Sequence, residues 1–549
     1  MTSIHQNSEK ATDERSEFDA IVVGAGFSGL YMLYRLRELG LSIRVFDNAD
    51  DVGGTWFWNR YPGARCDSES YNYCFSFSKE LLQEWSWSER YATQPEILSY
   101  LKHVADRFDL RKDIQFNTRV TSAVFHEESG KWVVGTDRGD SMSAKFFINA
   151  VGCLSTANVP KFEGLESFAG NWYHTSKWPH EPVDFQGQKV GVIGTGASGL
   201  QCIPEIAKDA ARLIVFQRTP HYASPAQNRP ITPEEDRQIK ANYDKLVEKM
   251  RNAHAGFPYE TKAKHALGVT PEERNQIYEE LWKIGGYHFL YSFSDLLYNK
   301  EANDTASEFI RSKIRQIVRD PEVAELLCPK EYPYGTKRPL LDWDYYETFN
   351  RENVSLVDIK KSPIVKITPE GIQTTQDLYE LDSIVFATGF DAITGTLVRM
   401  DIRGRGGITL KQKWENGPST YLGMTVHQFP NMFVITGPGS PSVLANLPIT
   451  IEQGVDWITA CIKFIYEHKI DRIEPTLEAE NAWVEEVNKE ANATLYSLAS
   501  SWYSGTNIPG KPKVFMPYVG GLGKYRAICD NVAEAGYKGY DLVSKSHQV

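Results

Sequence analysis

Runs of consecutive apolar residues that end at glycine punctuate this chain. Ala20-Ile21-Val22-Val23 is one, the pattern of a strand buried on both faces within a parallel sheet. It leads into Gly24-Ala25-Gly26-Phe27-Ser28-Gly29. Apolar Leu30, Leu33, Leu36 and Leu39 follow at helical spacing, and Gly40 stands where a helix-ending glycine belongs. A second strand, Ile43 to Phe46, ends on Asp47. The sequence repeats this layout later. Val190-Gly191-Val192-Ile193 runs into Gly194-Thr195-Gly196-Ala197-Ser198-Gly199, then a helix, then Leu213-Ile214-Val215-Phe216 and Gln217-Arg218-Thr219. Three further strands end at Gly152, Gly389 and Gly437. From Thr232 to about Asp320 the pattern is charged and helical. Thr232-Pro233-Glu234-Glu235 and Thr270-Pro271-Glu272-Glu273 there have the form of capping boxes with proline at the first helical position.

A strand, a G-x-G-x-x-G turn, a helix and a second strand together predict a dinucleotide-binding unit. Gly24 permits the tight turn, Gly26 lets a pyrophosphate approach the backbone, and Gly29 lets helix and strand pack closely. The helix N-terminus offers free N–H groups and a positive dipole end to phosphate. Asp47 can accept hydrogen bonds from ribose hydroxyls. In the second unit no acid ends the strand. Arg218 stands there instead, suited to a 2′-phosphate and so to NADP rather than NAD. Two such units in one chain point to a flavoprotein that takes hydride from a nicotinamide, with FAD in the first and NADPH in the second.

The expected fold class is α/β: two Rossmann-like dinucleotide-binding domains with a helical insertion in the NADP domain. Residues 1–16 are expected to form a polar tail. Residues 17–153 and 390–549 are expected to form a discontinuous FAD-binding domain. The NADP-binding domain is expected over 154–222 and 336–389, with the insertion over 223–335.

Composition removes other classes. Lys and Arg number 60 against 71 Asp and Glu, a net charge of −11, which disfavours nucleic acid and anionic membrane as partners. No apolar run is long enough to span a bilayer, and Met1 to Ser16 carries no signal-peptide core. The seven cysteines are scattered with no C-x-x-C, so no disulfide scaffold, zinc ribbon or thioredoxin-type pair is expected, and no metal. A cytoplasmic monomer is the expectation.

Phe168-Ala169-Gly170-Asn171-Trp172-Tyr173-His174-Thr175-Ser176-Lys177-Trp178-Pro179 lies between the two glycine motifs. It resembles the F-x-G-x-x-x-H-T-x-x-W-P fingerprint of type I Baeyer–Villiger monooxygenases. Gly53-Gly54-Thr55-Trp56, Asn59-Arg60-Tyr61-Pro62-Gly63 and Asp67 resemble a second signature of that family, near the flavin. The resemblance runs from about Phe18 to Tyr540 and is strongest to the branch that oxidises phenylacetone and steroids. It implies a C4a-peroxyflavin, formed from O2 on NADPH-reduced FAD, that inserts one oxygen beside a ketone carbonyl to give an ester or lactone. It also implies that Arg338 is the arginine beside the flavin and that Asp67 pairs with it. Lys337 would join Arg218 and Thr219 at the 2′-phosphate. Thr55, Trp56, Tyr61 and Tyr73 would line the flavin, and Trp502 would sit on a loop that closes over NADP.

By the same resemblance, Cys153, Leu154, Ser442, Val443, Leu444 and Leu447 would border the substrate. Cys153, Leu447 and Ser68 depart from the phenylacetone-type pattern, which has glutamine, methionine and isoleucine there. His174 is expected to order the linker between domains rather than act as a base, and Trp172 and Trp178 to pack. The alternative is an N- or S-oxygenating flavin monooxygenase, in which H-S with a tyrosine usually replaces His174-Thr175 and Trp178. A disulfide reductase is disfavoured, because Cys66 and Cys74 lack the C-x₄-C spacing.

Overall fold

Strand Glu17–Val23 pairs in parallel with Ile43–Phe46 on one side and Ser141–Asn149 on the other. Helix Phe27–Glu38 makes the crossover, and Gly40 at its end has φ +72°. The computed structural model describes residues 16–261 and 263–544; apart from Ser16, the expected polar tail lies outside them. The first sheet continues through an antiparallel meander of Val120–His126, Lys131–Thr136 and Ser141–Asn149. Two strands from the last third of the chain return to it: Asp401–Arg403 beside Val120–His126, and Met432–Val434 beside Ser141–Asn149. Helix Leu447–Glu467 covers the sheet with Phe27–Glu38, and Leu30, Leu33 and Leu36 share one apolar core with Val455, Ile458 and Ile462.

The second sheet is wholly parallel. Its order is Val354–Asp358, Arg212–Gln217, Lys189–Ile193, Ser383–Phe386 and Asn171–His174. A small antiparallel sheet of Ile364–Thr368, Gly371–Thr374 and Leu378–Glu380 precedes its last-added strand. Its short alternating pattern carried no motif and was not singled out in the sequence. The charged middle is helical, with helices Pro233–Ala241, Tyr243–Asn252, Pro271–Ile284, Lys300–Ile317 and Pro321–Leu327. Thr232 and Glu235 form the complete capping box. Thr270 caps only through its hydroxyl, which accepts the Glu273 N–H. Ala223–Pro225 pairs with Leu340–Asp342 and closes the neck of this segment.

The family fingerprint forms the edge of the second sheet. Trp178 is buried against Tyr173 and Phe185, as expected. Trp172 packs edge to face with Phe386, also as expected, and is 44% exposed because Asn171–His174 is an edge strand. Gly170 leaves no room for a side chain, since a Cβ there would stand 2.2 Å from the Asp382 carbonyl. Phe168 and Thr175 are buried.

His174 closes a seam. The chain passes between the two sheets along residues 150–160 and again along 387–393, and these crossings pair with each other. Asn158 N–H donates to Gly389 O at 2.9 Å, Asp391 N–H to Thr156 O at 2.9 Å, and Ile393 N–H to Cys153 O at 2.9 Å. The Thr388 hydroxyl donates to Asn158 O at 2.6 Å. His174 Nδ1 accepts from the Ser176 N–H at 3.1 Å, which leaves the proton on Nε2. Nε2 faces Asn158 O at 3.3 Å and Thr388 Oγ1 at 3.2 Å. Burial, aided by the charge of Lys177, holds the ring neutral, with its pKa lowered to about 4.

A histidine whose folded pKa is depressed contributes fully above its unfolded value of about 6.5. That contribution is lost as pH falls toward about 4. Replacing His174 by Asn is therefore expected to flatten the fall in stability over this window, measured by urea unfolding at a series of pH values. At neutral pH His174→Ala is expected to cost about 1–3 kcal/mol for the polar groups it leaves unpaired.

Candidate active site

The two glycine turns have the same geometry. Gly24 and Gly194 both have φ +107°, and a Cβ on either would stand 2.5 Å from a carbonyl of the neighbouring strand end, Ala150 or Ala387. A Cβ on Gly29 would stand 1.7 Å from Gly24 O, and one on Gly199 would stand 2.2 Å from Gly194 O. These glycines are required by packing. Gly26 and Gly196 are the N-caps of helices Phe27–Glu38 and Ala197–Asp209, and no side chain caps either helix. Their first N–H groups are left for a phosphate. A Cβ on Gly196 would meet nothing within 4 Å, so that space is open for a ligand. Gly26 is pressed against Gly54, with a Cβ on Gly54 standing 3.0 Å from the Gly26 Cα. These features fit FAD at the first turn and NADP at the second.

Several expected contacts are revised. Asp47 is 8% exposed, and its carboxylate ties the turn together: Oδ2 accepts the Ala25 N–H at 2.6 Å and Oδ1 the Ala49 N–H at 2.8 Å. Burial pushes its pKa up against these donors, and only its remaining lone pairs are open to a ribose. The Phe27 ring packs on Tyr73 and Phe75 in the core, so only the Phe27 backbone is placed for a phosphate. Ser28 is buried. Ser442 does not border the cavity described below. It is fully buried at φ +43°, and its hydroxyl donates to Thr436 O at 3.3 Å.

A cavity of about 1330 Å³ opens between the sheets and the helical segment. Gly194, Thr195, Gly196, Ala197 and Ser198 form one stretch of its wall, while Gly199 supports the turn from behind. The Thr195 hydroxyl donates to Thr219 O at 3.0 Å, fixing the turn to the strand end that carries Arg218. Arg218, Thr219, Lys337 and Lys360 make a cationic end. Lys337 Nζ lies 4.2 Å from the centre of the Tyr332 ring. Burial and the adjacent Arg218 lower its pKa to about 8, and burial with the same two cations lowers that of His221 to about 3.

The rest of the wall is mostly apolar and aromatic. Thr55, Trp56, Tyr61 and Tyr73 line it, with Trp56 Nε1 donating to Tyr73 Oη at 3.3 Å. Cys153, Leu154, Val443, Leu444, Leu447 and Trp502 line it too, as does Ser68. The three departures from the phenylacetone-type pattern, Cys153, Ser68 and Leu447, therefore all face one space. The loop bearing Trp502 is tied to the second crossing: Asn507 donates to Phe390 O at 2.7 Å, and Lys511 pairs with Asp391 at 2.7 Å.

Arg338 and Asp67 meet at this wall, Nη2 to Oδ2, at 3.4 Å. Asp67 is 4% exposed and Arg338 about a third exposed, so the carboxylate is the anchor and the guanidinium the working face. Burial pushes the Asp67 pKa up, and Arg338 and Gln201 pull it back. Sequence reasoning missed Gln201, Tyr287 and Lys360, all on the wall. For Gln201 a signal was present, a polar residue among Leu200, Cys202, Ile203 and Ile206 on the buried face of its helix. The seven cysteines are all buried and free, and burial raises the pKa of each.

The family model described as flavin-binding monooxygenase-like matches residues 19–224. A Baeyer-Villiger monooxygenase of Pseudooceanicola batsensis is 47% identical over 529 residues, 95% of this chain and 96% of its own. A solved structure of oxidised steroid monooxygenase bound to NADP is 53% identical, with TM-score 0.92, covering 96% of this chain and 100% of that one. Cyclohexanone monooxygenase from Rhodococcus sp. Phi1 bound to NADP+ is 45% identical, with TM-score 0.95, over 97% and 100%.

Two outcomes follow from the geometry. Gly29→Ala is expected to purify without FAD, since its Cβ has no space, whereas Gly196→Ala is expected to fold, keep FAD and bind NADP+ poorly; absorbance spectra and NADP+ titration check both. NADP+ affinity is expected to fall as pH rises through about 8, because the Lys337 cation loses its proton while the 2′-phosphate stays dianionic. In Lys337→Met this slope is expected to vanish, and Arg218→Ala is expected to raise the KM for NADPH by about 10- to 100-fold while barely moving that for NADH.

Proposed function

We propose the following division of labour for a chain that belongs to the Baeyer–Villiger monooxygenases, enzymes dependent on FAD and NADPH that convert ketones to esters or lactones. The reading rests on one observation: a buried carboxylate, Asp67, holds an arginine, Arg338, at the wall of a large, mainly apolar cavity. When bound, FAD supplies the redox chemistry, accepting hydride from NADPH and activating O2.

The first glycine turn and the open N-terminus of helix Phe27–Glu38 hold the FAD phosphates, with Asp47 fixing the turn. The second turn holds the NADP pyrophosphate, and Arg218, Thr219, Lys337 and Lys360 hold the 2′-phosphate. Arg338 directs its donors at oxygen atoms that gain negative charge as the ketone is attacked. A guanidinium does not lose its proton at working pH, so it stabilises anionic oxygen without protonating it. Asp67 keeps the guanidinium in place.

Leu154, Val443, Leu444, Leu447 and Trp502 exclude water and receive the ketone. Their breadth and apolar character suit aryl, cyclic or long-chain ketones. His174 remains neutral in the seam and takes no part in proton transfer. A net charge of −11 disfavours nucleic acid and anionic membrane as partners. Among the described residues no helix is long and apolar enough to cross a membrane.

Arg338→Ala is expected to retain FAD yet lose about two to three orders of magnitude in ester formation, the usual effect of removing a preorganised donor to an oxyanion. Arg338→Lys is expected to recover little, because a flexible ammonium does not reproduce the planar fork. Product analysis by mass alongside NADPH consumption checks this. Ester made by Arg338→Ala at the wild-type rate would remove the arginine from the chemistry.

A further inference from the structure

Gln201 lies one turn into helix Ala197–Asp209, the helix that opens at the second glycine turn. The residue is 5% exposed, and its side chain reaches segment 61–67, which lines the same cavity. Oε1 accepts the Tyr61 hydroxyl at 2.8 Å and the Arg65 N–H at 3.4 Å. Nε2 donates to Arg65 O at 3.1 Å and to Asp67 Oδ1 at 3.2 Å. The amide can sit only one way round. Flipped, it would set its oxygen against a carbonyl and a carboxylate and its NH2 against an N–H. Asp67 thus receives one donor on each oxygen, Gln201 on Oδ1 and Arg338 on Oδ2. Contact extends to the backbone, where a Cβ on Gly63 would stand 2.5 Å from Gln201 O.

We infer that Gln201 is a positioning residue that sets the angle and charge of the Asp67 carboxylate, and through it the Arg338 guanidinium, from the helix whose N-terminus faces the NADP seat. The inference rests on the ketone-oxidising reading given above. A carboxylate held by Arg338 alone can rotate about its Cβ–Cγ bond and swing the guanidinium with it. The second donor removes that freedom. Four hydrogen bonds on one amide also make the segment carrying Asp67 move with the helix, so displacement of the helix at its phosphate end is passed to the catalytic pair.

Gln201→Glu keeps the shape and replaces the donor by a carboxylate facing Asp67. At pH 8 the two like charges repel, and ester formation is expected to fall by about 10²-fold, the scale of a misplaced catalytic group. Burial and the adjacent Asp67 raise the pKa of the new carboxyl above the usual glutamate value of about 4.3, so as pH falls it takes up a proton, donates to Asp67 and restores activity. Wild type lacks this acid-side rise. Gln201→Leu is expected to show the loss at every pH, with FAD retained and NADPH still consumed, so that ester formed per NADPH falls. The measurements are ester by mass, NADPH by absorbance, NADP+ affinity by titration, and thermal stability of each variant.

A purely structural role would lower stability or cofactor binding in both variants and leave ester per NADPH and the pH profile as in wild type; that result overturns the inference. If Gln201→Leu fails to fold, the isosteric Gln201→Glu pH profile decides alone, and a wild-type profile overturns the inference. A wild type that makes no ester from any ketone would instead overturn the reading of the enzyme class, an outcome visible before any variant is made.

Discussion

The chain leaves the first sheet, builds the second, and returns, and both crossings pass through one seam. That constraint governs everything else. Residues 150–160 and 387–393 hydrogen-bond to each other, and His174 fastens both through Asn158 O and Thr388 Oγ1. The donor arrangement works only with a neutral ring, and burial enforces that state. The cavity lies beside the seam, and the loop bearing Trp502 is anchored to the second crossing by Asn507 and Lys511. The position of each nucleotide seat relative to the other is therefore set partly at this seam, by a few polar contacts at its half-buried edge, and partly where Gln201 meets segment 61–67. Such contacts are costly to leave unmade and hence specific.

Within this frame the cavity separates two electrostatic tasks. At one end, burial first and then the neighbouring Arg218 lower the Lys337 pKa to about 8, and a dianionic phosphate would favour the charged form again. At the other, Arg338 is balanced by a buried acid and faces aromatic and aliphatic walls. A positive charge in such surroundings acts strongly on nearby oxygen atoms because little water screens it. The first cluster recognises a permanent charge; the second meets a charge that exists only during reaction.

Much of this was legible in the sequence because it depends on local backbone geometry. The two glycine turns, their strands and helices, the cap at Gly40 and the proline-led helices follow from short-range rules, and the structure contains them. The fingerprint marked His174 as an organiser of linkers, and the seam shows what it organises. Three things were hidden, each for a physical reason. Asp47 ends a strand as a ribose-binding acid does, yet its oxygens turn inward to two N–H groups that no pattern reveals. Ser442 stands among pocket residues, but its left-handed backbone turns it away from them. Gln201 showed only as a polar residue on an apolar helix face, because its partner is 134 positions distant in sequence and only folding brings the amide to the carboxylate.

The cysteines of this chain bear on how its motions can be watched. All seven are buried and free, and burial raises the pKa of each, to about 11 for Cys153 and Cys328 and to about 12 for Cys66, Cys74, Cys202 and Cys529. Thiolate is the reactive form, so burial and the raised pKa both slow the native thiols toward maleimides and methanethiosulfonates, with Cys66 and Cys153 the two that border the cavity. A single cysteine introduced at an exposed position would label selectively without first stripping the native ones. A pair of spin labels or fluorophores, one on each side of the seam, would then report distance changes during turnover in an otherwise unaltered enzyme.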